Sequence, residues 1–535
     1  MKAATPADQP AIRVRYHGPL TIAIMLATIM QVIDTTIANV ALPHMQASLN
    51  ATQDTISWVL TSYIVAAAIM TPVTGWLADR LGRKRLFIIS VSGFTLMSVA
   101  CGLATNLPEM VFFRLMQGLC GAALVPLSQA VLLDINPRER HGQAMAVWGA
   151  GIMVGPILGP TLGGWLTEVF DWRYVFFVNL PVGILALGGM LAFLPDDPPK
   201  PRRFDMFGFV MLTIAIGGLQ LMLDRGQGED WFNSVEIWIE LGVTVAALWV
   251  FVTHSITHGE PFIDMAIFRD RNFAMGVTFM FIIGMILLSG LALLPPMLQH
   301  LMGYPVITTG WVMAPRGVGT MITMLLVGRL VKQVDARLLV LTGLSLTAWS
   351  LHMMTQFTAD MGQWPLISSG IIQGLGFGLV FIPLTTLAYA TLDQKYRTDA
   401  ASLFNLVRNI GSSIGISIVM TALVQLGQIN HAELGAHITA FSPAVNMQMP
   451  ALLSGDPLTL SMVDNMVTGQ ALMISYINDF KLMMFITLAA MPIVLFLKPP
   501  KRAAMPVGPV GPVGPGRPPS ARPGGGQANA SAMAD

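Results

Sequence analysis

Fourteen apolar runs, each about as long as a helix needs to cross a bilayer, divide this chain almost from end to end. They lie near 20–43, 54–78, 86–105, 109–133, 141–167, 174–194, 206–223, 236–254, 272–296, 307–331, 338–356, 364–391, 401–425 and 481–497. A spanning helix takes about 20 consecutive apolar residues. In lipid only helices and closed barrels satisfy their own backbone hydrogen bonds, and runs this long and unalternating are not barrel strands. The expected fold is an all-α membrane protein of fourteen transmembrane helices. Composition agrees, since 54% of the 535 residues are apolar and 11% are charged, whereas soluble domains carry about 25% charge. Such a chain cannot cover its core with polar surface, which sets an ordinary soluble enzyme aside. The first run follows a 19-residue polar start and has no small-residue cleavage site, so it reads as a spanning helix and not a signal peptide.

The net charge of +1, from 30 basic and 29 acidic residues, gives no reason to expect nucleic-acid binding. Position is more informative. With the N-terminus in the cytoplasm and fourteen crossings, cytoplasmic segments hold 24 of the 30 Lys and Arg, including Arg80, Arg83, Lys84, Arg85, Lys200, Arg202, Arg203, Lys395 and Arg397. External segments hold three, Arg173, Arg225 and Lys481, and three more, Arg114, Arg316 and Arg408, fall within helices. This asymmetry obeys the positive-inside rule and supports both the even helix count and two cytoplasmic termini.

The expected order is a cytoplasmic N-terminus (1–19), a six-helix bundle (20–194), a linker with two extra helices (195–260), and a second six-helix bundle (261–498) with a long external loop (426–480). Residues Pro457–Phe480 of that loop have helical spacing and extend the last helix outward. The tail 499–535 holds 9 Pro and 7 Gly, a composition that cannot bury a core and reads as disordered. A degenerate repeat links the bundles: GWLADRLGRKRL (Gly75–Leu86) follows the second helix of the first, and VGRLVKQVDARL (Val327–Leu338) follows the second helix of the last. Repeats of this kind build transporters, with the binding site between the halves near the midplane.

Ionisable groups at membrane depth are costly and functional by default. Asp34 is the acid read well inside a helix, ~13 Å below the external end of helix 1 at 1.5 Å per residue. Isolated there, it is suited to load and release a proton; alternatively it packs helices through hydroxyls such as Thr35 or Thr36. Arg114, ~8 Å below the external face by the same rise, is its natural partner if helices 1 and 4 adjoin, or else snorkels to the surface. Arg316 and Arg408 are buried cations of the second bundle. With Gln31, Asn39, Gln117 and Asn405 they are the candidates for a substrate pathway.

Helix 5 reads GAGIMVGPILGPTLGGWL, with Gly151, Gly155, Gly159 and Gly163 along one face and Pro156 and Pro160 between them. Small faces let helices approach closely, and the prolines each remove a hydrogen bond and bend the helix. In Gly75–Leu86, glycines allow a tight corner, Asp79 is suited to a helix N-terminus, and the basic run suits anionic lipid headgroups or plain solvent. Cys101 and Cys120 fall in apolar helices and read as small buried hydrophobes. The nine histidines have no metal-ligand spacing.

At these residues the chain resembles the fourteen-helix drug:proton antiporter branch of the major facilitator superfamily, of EmrB/QacA type and closer to EmrB. The motifs are IDTTIANVALP (Ile33–Pro43), GWLADRLGRKRL, RLMQGLCGAA (Arg114–Ala123), the helix-5 glycines, DWRYVFFVNLPVG (Asp171–Gly183) and MAPRG (Met313–Gly317). The resemblance implies that proton entry drives export of a drug-like compound by rocking of two six-helix halves, with the proton as coupling ion and no other cofactor. It implies Asp34 as the proton-binding group with Arg114 beside it, Gly75, Asp79 and Arg83 as the cytoplasmic gate, and the helix-5 glycines and prolines as the antiporter motif. It also implies a bacterial inner membrane, lipid contact and, in a Gram-negative cell, an EmrA-like periplasmic adaptor and an outer-membrane channel, for which 426–480 is a docking surface.

One departure bears on substrate. Some QacA-like relatives use an acid in helix 10 for dicationic drugs, but helix 10 here has Arg316 and no acid. Three intramembrane arginines against one aspartate favour neutral or weakly acidic lipophilic compounds. A dedicated exporter of one metabolite or siderophore would share every motif. A membrane enzyme would need a catalytic cluster, and the chain carries no G-x-x-x-x-G-K-[ST], H-E-x-x-H or G-x-S-x-G.

Overall fold

The structure is a computed structural model that describes residues 14–137, 140–198, 203–331, 333–393, 396–439 and 456–497, the side chains at 53, 54, 160 and 306 excepted. The tail expected to be disordered, 499–535, lies outside the described residues, as do Lys200, Arg202, Lys395 and the middle of the 426–480 segment. Among the described residues every regular element is helical.

The helices are α1 (His17–Ser48), α2 (Trp58–Met70 and Val73–Leu81), α3 (Arg83–Leu103), α4 (Leu107–Ile135), α5 (His141–Val169), α6 (Tyr174–Phe193), α7 (Met206–Arg225), α8 (Val235–Thr257), α9 (Arg271–Leu301), α10 (Val306–Leu330), α11 (Ala336–Met354), α12 (Gln363–Ala390), α13 (Arg397–Ala436) and α14 (Pro457–Phe496). Twelve are long and apolar enough to cross a membrane, and α2 makes a thirteenth if its segments, bent by 60°, form one span. The bend falls at Pro72, which has no N–H to continue the ladder. The 19-residue α11 is not among them; it carries Arg337 in its first turn and His352 in its last.

Short polar residues start several helices. The side chains of Asn106, Asp205, Asp270, Asp335 and Asp456 each accept a backbone N–H of the following first turn, which satisfies donors that lack an intrahelical partner. At Gly82, φ is +81°, and this left-handed residue lets α3 begin directly after α2 ends.

The segment expected as a loop from 426 to 480 is largely helical. Helix α13 runs on to Ala436, and α14 begins at Pro457, far ahead of residue 481. At 1.5 Å per residue α13 is ~60 Å long, about twice the hydrocarbon thickness. The expected extension over Pro457–Phe480 is helical, and what the sequence did not show is the continuation of α13 from 426 to 436, where polar and small residues end the apolar run while the helix continues.

Packing repeats between the two halves. In the first, α1 packs on α5 and α6, α2 on α4, and α3 on α4 and α6. In the second, α9 packs on α13 and α14, α10 on α12, and α11 on α12 and α14. Each pairing in the first set has its counterpart eight helices later. The halves meet through α5 on α10 and α2 on α13, which are again equivalent pairs, and through α4 on α13. Helices α7 and α8 pack on each other, and α7 touches α2 and α13. The largest apolar cluster crosses the boundary, joining Leu124, Trp148 and Met145 to Met324, Phe381 and Phe404. The end of the bundle with the α2–α3 corner is here the basic end: Arg83 and Lys84 there reach Asp197 and Asp196 of the α6–α7 connection.

Candidate functional site

Two polar clusters stand out within the apolar bundle. The first surrounds Asp34, which is fully buried on α1. Helices α1 and α4 adjoin, Arg114 reaches Asp34 as its expected partner, and helix packing delivers two further donors to the carboxylate. Arg114 Nη1 of α4 donates to Oδ2 at 2.7 Å. Gln117 Nε2, one turn on, donates to Oδ1 at 3.0 Å, and Asn179 Nδ2 of α6 donates to Oδ1 at 2.7 Å. Thr35 and Thr36 instead bond backbone carbonyls.

Arg114 does not reach for the surface; it is 1% exposed. Its Nη1 also donates to Gln117 Oε1 at 2.8 Å, and its Nε donates to the Val59 carbonyl of α2 at 3.1 Å. The guanidinium carbon lies 4.3 Å from the centre of the Tyr63 ring, on α2, a cation–π contact. Asn179 also bonds Ser98 of α3 at 2.9 Å. Five helices of the first half thus converge on one ion pair. A buried ion pair is costly unless further hydrogen bonds satisfy both partners, and here both have them. Asn179 was not singled out from the sequence, although it stands in the quoted stretch DWRYVFFVNLPVG; a lone Asn near a helix start has no signal of its own.

The glycines of α5 explain how α1 is held. A Cβ at Gly151 would meet Met25, at Gly155 Val32, at Gly159 Thr36 and at Gly163 Ile37. All four face α1, so its backbone approaches α5 along the turns that carry Asp34. The α5 helix is interrupted at Met153, ahead of Pro156, whose ring displaces the carbonyl four residues before it. Pro160 shares this helix; its side chain lies outside the described ones.

The second cluster closes the basic end. Asp134, at the end of α4 and 2% exposed, pairs with Arg83 of α3 and, at 2.6 Å, with Arg397 Nη1, the first residue of α13. Asn405 Nδ2 of α13 donates to Gln129 Oε1 of α4 at 3.2 Å. A Cβ at Gly75 of α2 would collide with the Asp399 carboxylate of α13. Gly75, Gln129 and Asp134 of the first half therefore meet α13, and Arg83 joins through Asp134. The reading that placed Arg397 in a loop is corrected: it begins a helix and is buried. Asp134 was not singled out from the sequence; it lies just past the apolar run at 109–133, where an acid has no signal of its own. Asp79 lies on the same α2 segment and is engaged in an interaction of its own.

The remaining candidates are scattered. Gln31 lies one turn before Asp34, with Tyr63 beside it. Asn39 is exposed and bonds its own helix at the Thr35 carbonyl, 3.0 Å away. Arg316 of α10 is 6% exposed and donates Nη2 to the Leu287 carbonyl at 3.3 Å, while its Nη1 has no partner. It lies 5.5 Å from the Phe377 ring centre and lines a cavity of about 20 Å³ with Leu294, Val312, Phe357 and Ser369. Arg408 is half-buried on α13 and reaches Asn409 at 3.5 Å. Both cysteines are free.

Comparison with known proteins places this geometry. The family model for the Major Facilitator Superfamily matches residues 24–416. The chain is 36% identical over 490 residues to the probable multidrug resistance protein EmrY of Escherichia coli strain K12, covering 90% of this chain and 95% of that protein. It is 35% identical to the multidrug export protein EmrB of the same strain, with the same coverage. It is 35% identical to the fatty acid resistance protein FarB of Neisseria gonorrhoeae, covering 92% and 98%. Among solved structures it resembles the human organic anion transporter MFSD10, with a TM-score of 0.56 at 12% identity over 88% of this chain and 99% of that one. It also resembles the proton:xylose symporter XylE, with a TM-score of 0.55 at 13% identity over 89% and 95%.

Proposed function

The chain belongs to the major facilitator superfamily, and we propose that within it this protein is a proton-coupled multidrug exporter of EmrB type. The observation that carries this reading is the buried Asp34–Arg114 pair with its Gln117 and Asn179 donors. The names of the EmrB and EmrY relatives support export of drugs.

In this reading α11 also spans, which gives fourteen helices arranged 6 + 2 + 6. The basic end faces the cytoplasm, both termini are cytoplasmic, and the membrane is the bacterial inner membrane. The positive-inside pattern supports that orientation, and the repeated helix pairings support the two six-helix halves.

Asp34 is the proton-coupling group. Ionised, it holds α1, α4 and α6 together through its three donors. A proton on it removes the charge that Arg114 and Asn179 address, and the two forms then favour different packings of the first half. A ligand moves such an equilibrium only by binding its states unequally, and the proton does so here. The Arg83–Asp134–Arg397 bridge is the cytoplasmic gate, since it ties the two halves together and must break for the cytoplasmic side to open.

Substrates are lipophilic and neutral or weakly acidic. Arg316 is a buried cation without an acid partner, which suits a carboxylate and opposes a dication. The parts of α13 and α14 beyond the membrane offer a surface to an EmrA-like adaptor and an outer-membrane channel. The test is transport in proteoliposomes under an imposed pH gradient. Weak acids should be driven and dicationic dyes should not; equal transport of both refutes the substrate class, and no gradient dependence refutes proton coupling.

A further inference from the structure

Asp479 lies on α14, 17 residues before its end at Phe496, or ~26 Å along the helix axis. It is 1% exposed, and neither carboxylate oxygen has a hydrogen-bond partner. Met473, Tyr476, Phe480 and Met483 around it on α14 belong to one apolar cluster with Leu298 at the end of α9 and Met354 and Phe357 at the end of α11. From its own helix, Tyr476 faces it. Among the described residues no ionisable group bonds it: Arg271 of α9 lies over the Phe496 ring at the far end of α14, and Arg408 of α13 reaches Asn409. His300 of α9 and His352 of α11 are exposed, and His431 of α13 bonds Asp464 at 3.1 Å. Lys481, two residues on, is exposed as well.

A carboxylate without donors or a cation in such surroundings is not stable as an ion, and the group neutralises. Asp34 is the opposite case, with three donors, one of them a cation. One direction out of the apolar cluster is polar. Ser475, one turn from Asp479 on the same face of α14, accepts from Asn430 Nδ2 of α13 at 3.0 Å. Asn430 adjoins His431, whose bond to Asp464 lies on the exposed outer part of the α13–α14 seam. The seam thus leads from the buried acid to water at the end opposite the basic end.

We propose that Asp479 is a second proton-binding site of this protein, protonated in the conformation described and exchanging its proton through the α13–α14 seam. A proton from water forms an O–H bond on a carboxylate oxygen, and the reverse step returns it to water. The inference rests on the reading of the protein as proton-coupled, but its first test does not. Infrared difference spectra of the full chain in lipid vesicles at neutral pH should show the carbonyl stretch of a protonated carboxylic acid. That band should be lost in Asp479→Asn and kept in Asp34→Asn. An unchanged band in Asp479→Asn overturns the proposal, whatever transport shows. Should Asp479→Asn fail to fold, Asn430→Leu and Ser475→Ala provide the check: each should slow the hydrogen–deuterium shift of the band at least tenfold, and an unchanged rate in both overturns the route. In proteoliposomes, Asp479→Asn should lower the number of protons moved per substrate. Wild-type transport that ignores the pH gradient would refute the coupling reading alone and leave the infrared result standing.

Discussion

Asp134 and Arg397 are 263 residues apart in sequence, yet Arg397 Nη1 donates to Asp134 Oδ1 at 2.6 Å, and both side chains are 3% exposed. The bond joins the end of α4 to the start of α13 and so holds the two halves together. With Arg83 on the other carboxylate oxygen, Asp134 bridges two cations in a buried place, and Arg83 also lies 3.9 Å from Asp197.

Removing one partner from such a group leaves an uncompensated charge, a loss of about 3–5 kcal/mol. Asp134→Asn should therefore loosen the basic end. The expected result is faster hydrogen exchange at the first turns of α13, with exchange around Asp34 unchanged. If α13 stays protected in the variant, this bridge does not hold the halves together.

Arg114→Ala should destabilise the first half by a similar few kcal/mol, because Asp34 would keep only amide donors. Combining it with Asp34→Asn should recover much of the stability, since neither charge remains, but not gradient-driven transport. Thermal unfolding in detergent and proteoliposome flux measure the two effects separately. Flux in the double variant would remove the pair from the coupling mechanism.

The glycines of α5 should differ sharply from a lipid-facing glycine. A Cβ at Gly159 runs into Thr36, whereas at Gly188 nothing lies within 4 Å. Gly159→Val should cost about 1–3 kcal/mol by overpacking and disturb Asp34 on the adjoining turn. Gly188→Ala should be neutral or stabilising by up to about 1 kcal/mol from helix propensity. Equal thermal stability of the two variants would contradict close α1–α5 packing.

Asp205 caps α7 just outside its spanning segment. Burial opposes its charge, but the Gly208 N–H, His254 and the Phe262 N–H outweigh burial and hold the carboxyl below the usual aspartate range. A lowered pKa contributes stability above the unfolded-state value and loses it as pH falls through the folded one. The docking of α7 on α8 and on the chain at Phe262 should thus be constant at neutral pH and weaken only in acid. Asp205→Asn should reproduce that weakening at pH 7, read as faster exchange at the Gly208 and Phe262 amides. Full protection in that variant would show that the carboxylate charge plays no part.

Sequence by itself determined the solvent and most of the helices. Hydropathy works at the scale of one helix in lipid, where each segment must satisfy its own backbone, so α1 through α13 were legible within a few residues at most ends. Asp34 and Arg114 were legible for the same reason, as charges in apolar runs. The tertiary structure alone decided which groups meet them. Gln117 and Asn179 reach Asp34 only because α4 and α6 both pack near α1, and Asp134 meets Arg397 across 263 residues of chain. Asp479 stayed hidden because the outer turns of α14 face water and blur the apolar run, while burial of the carboxylate comes from neighbouring helices. A charge written in a sequence has a cost that depends on its surroundings, and those are set by packing between segments far apart in the chain.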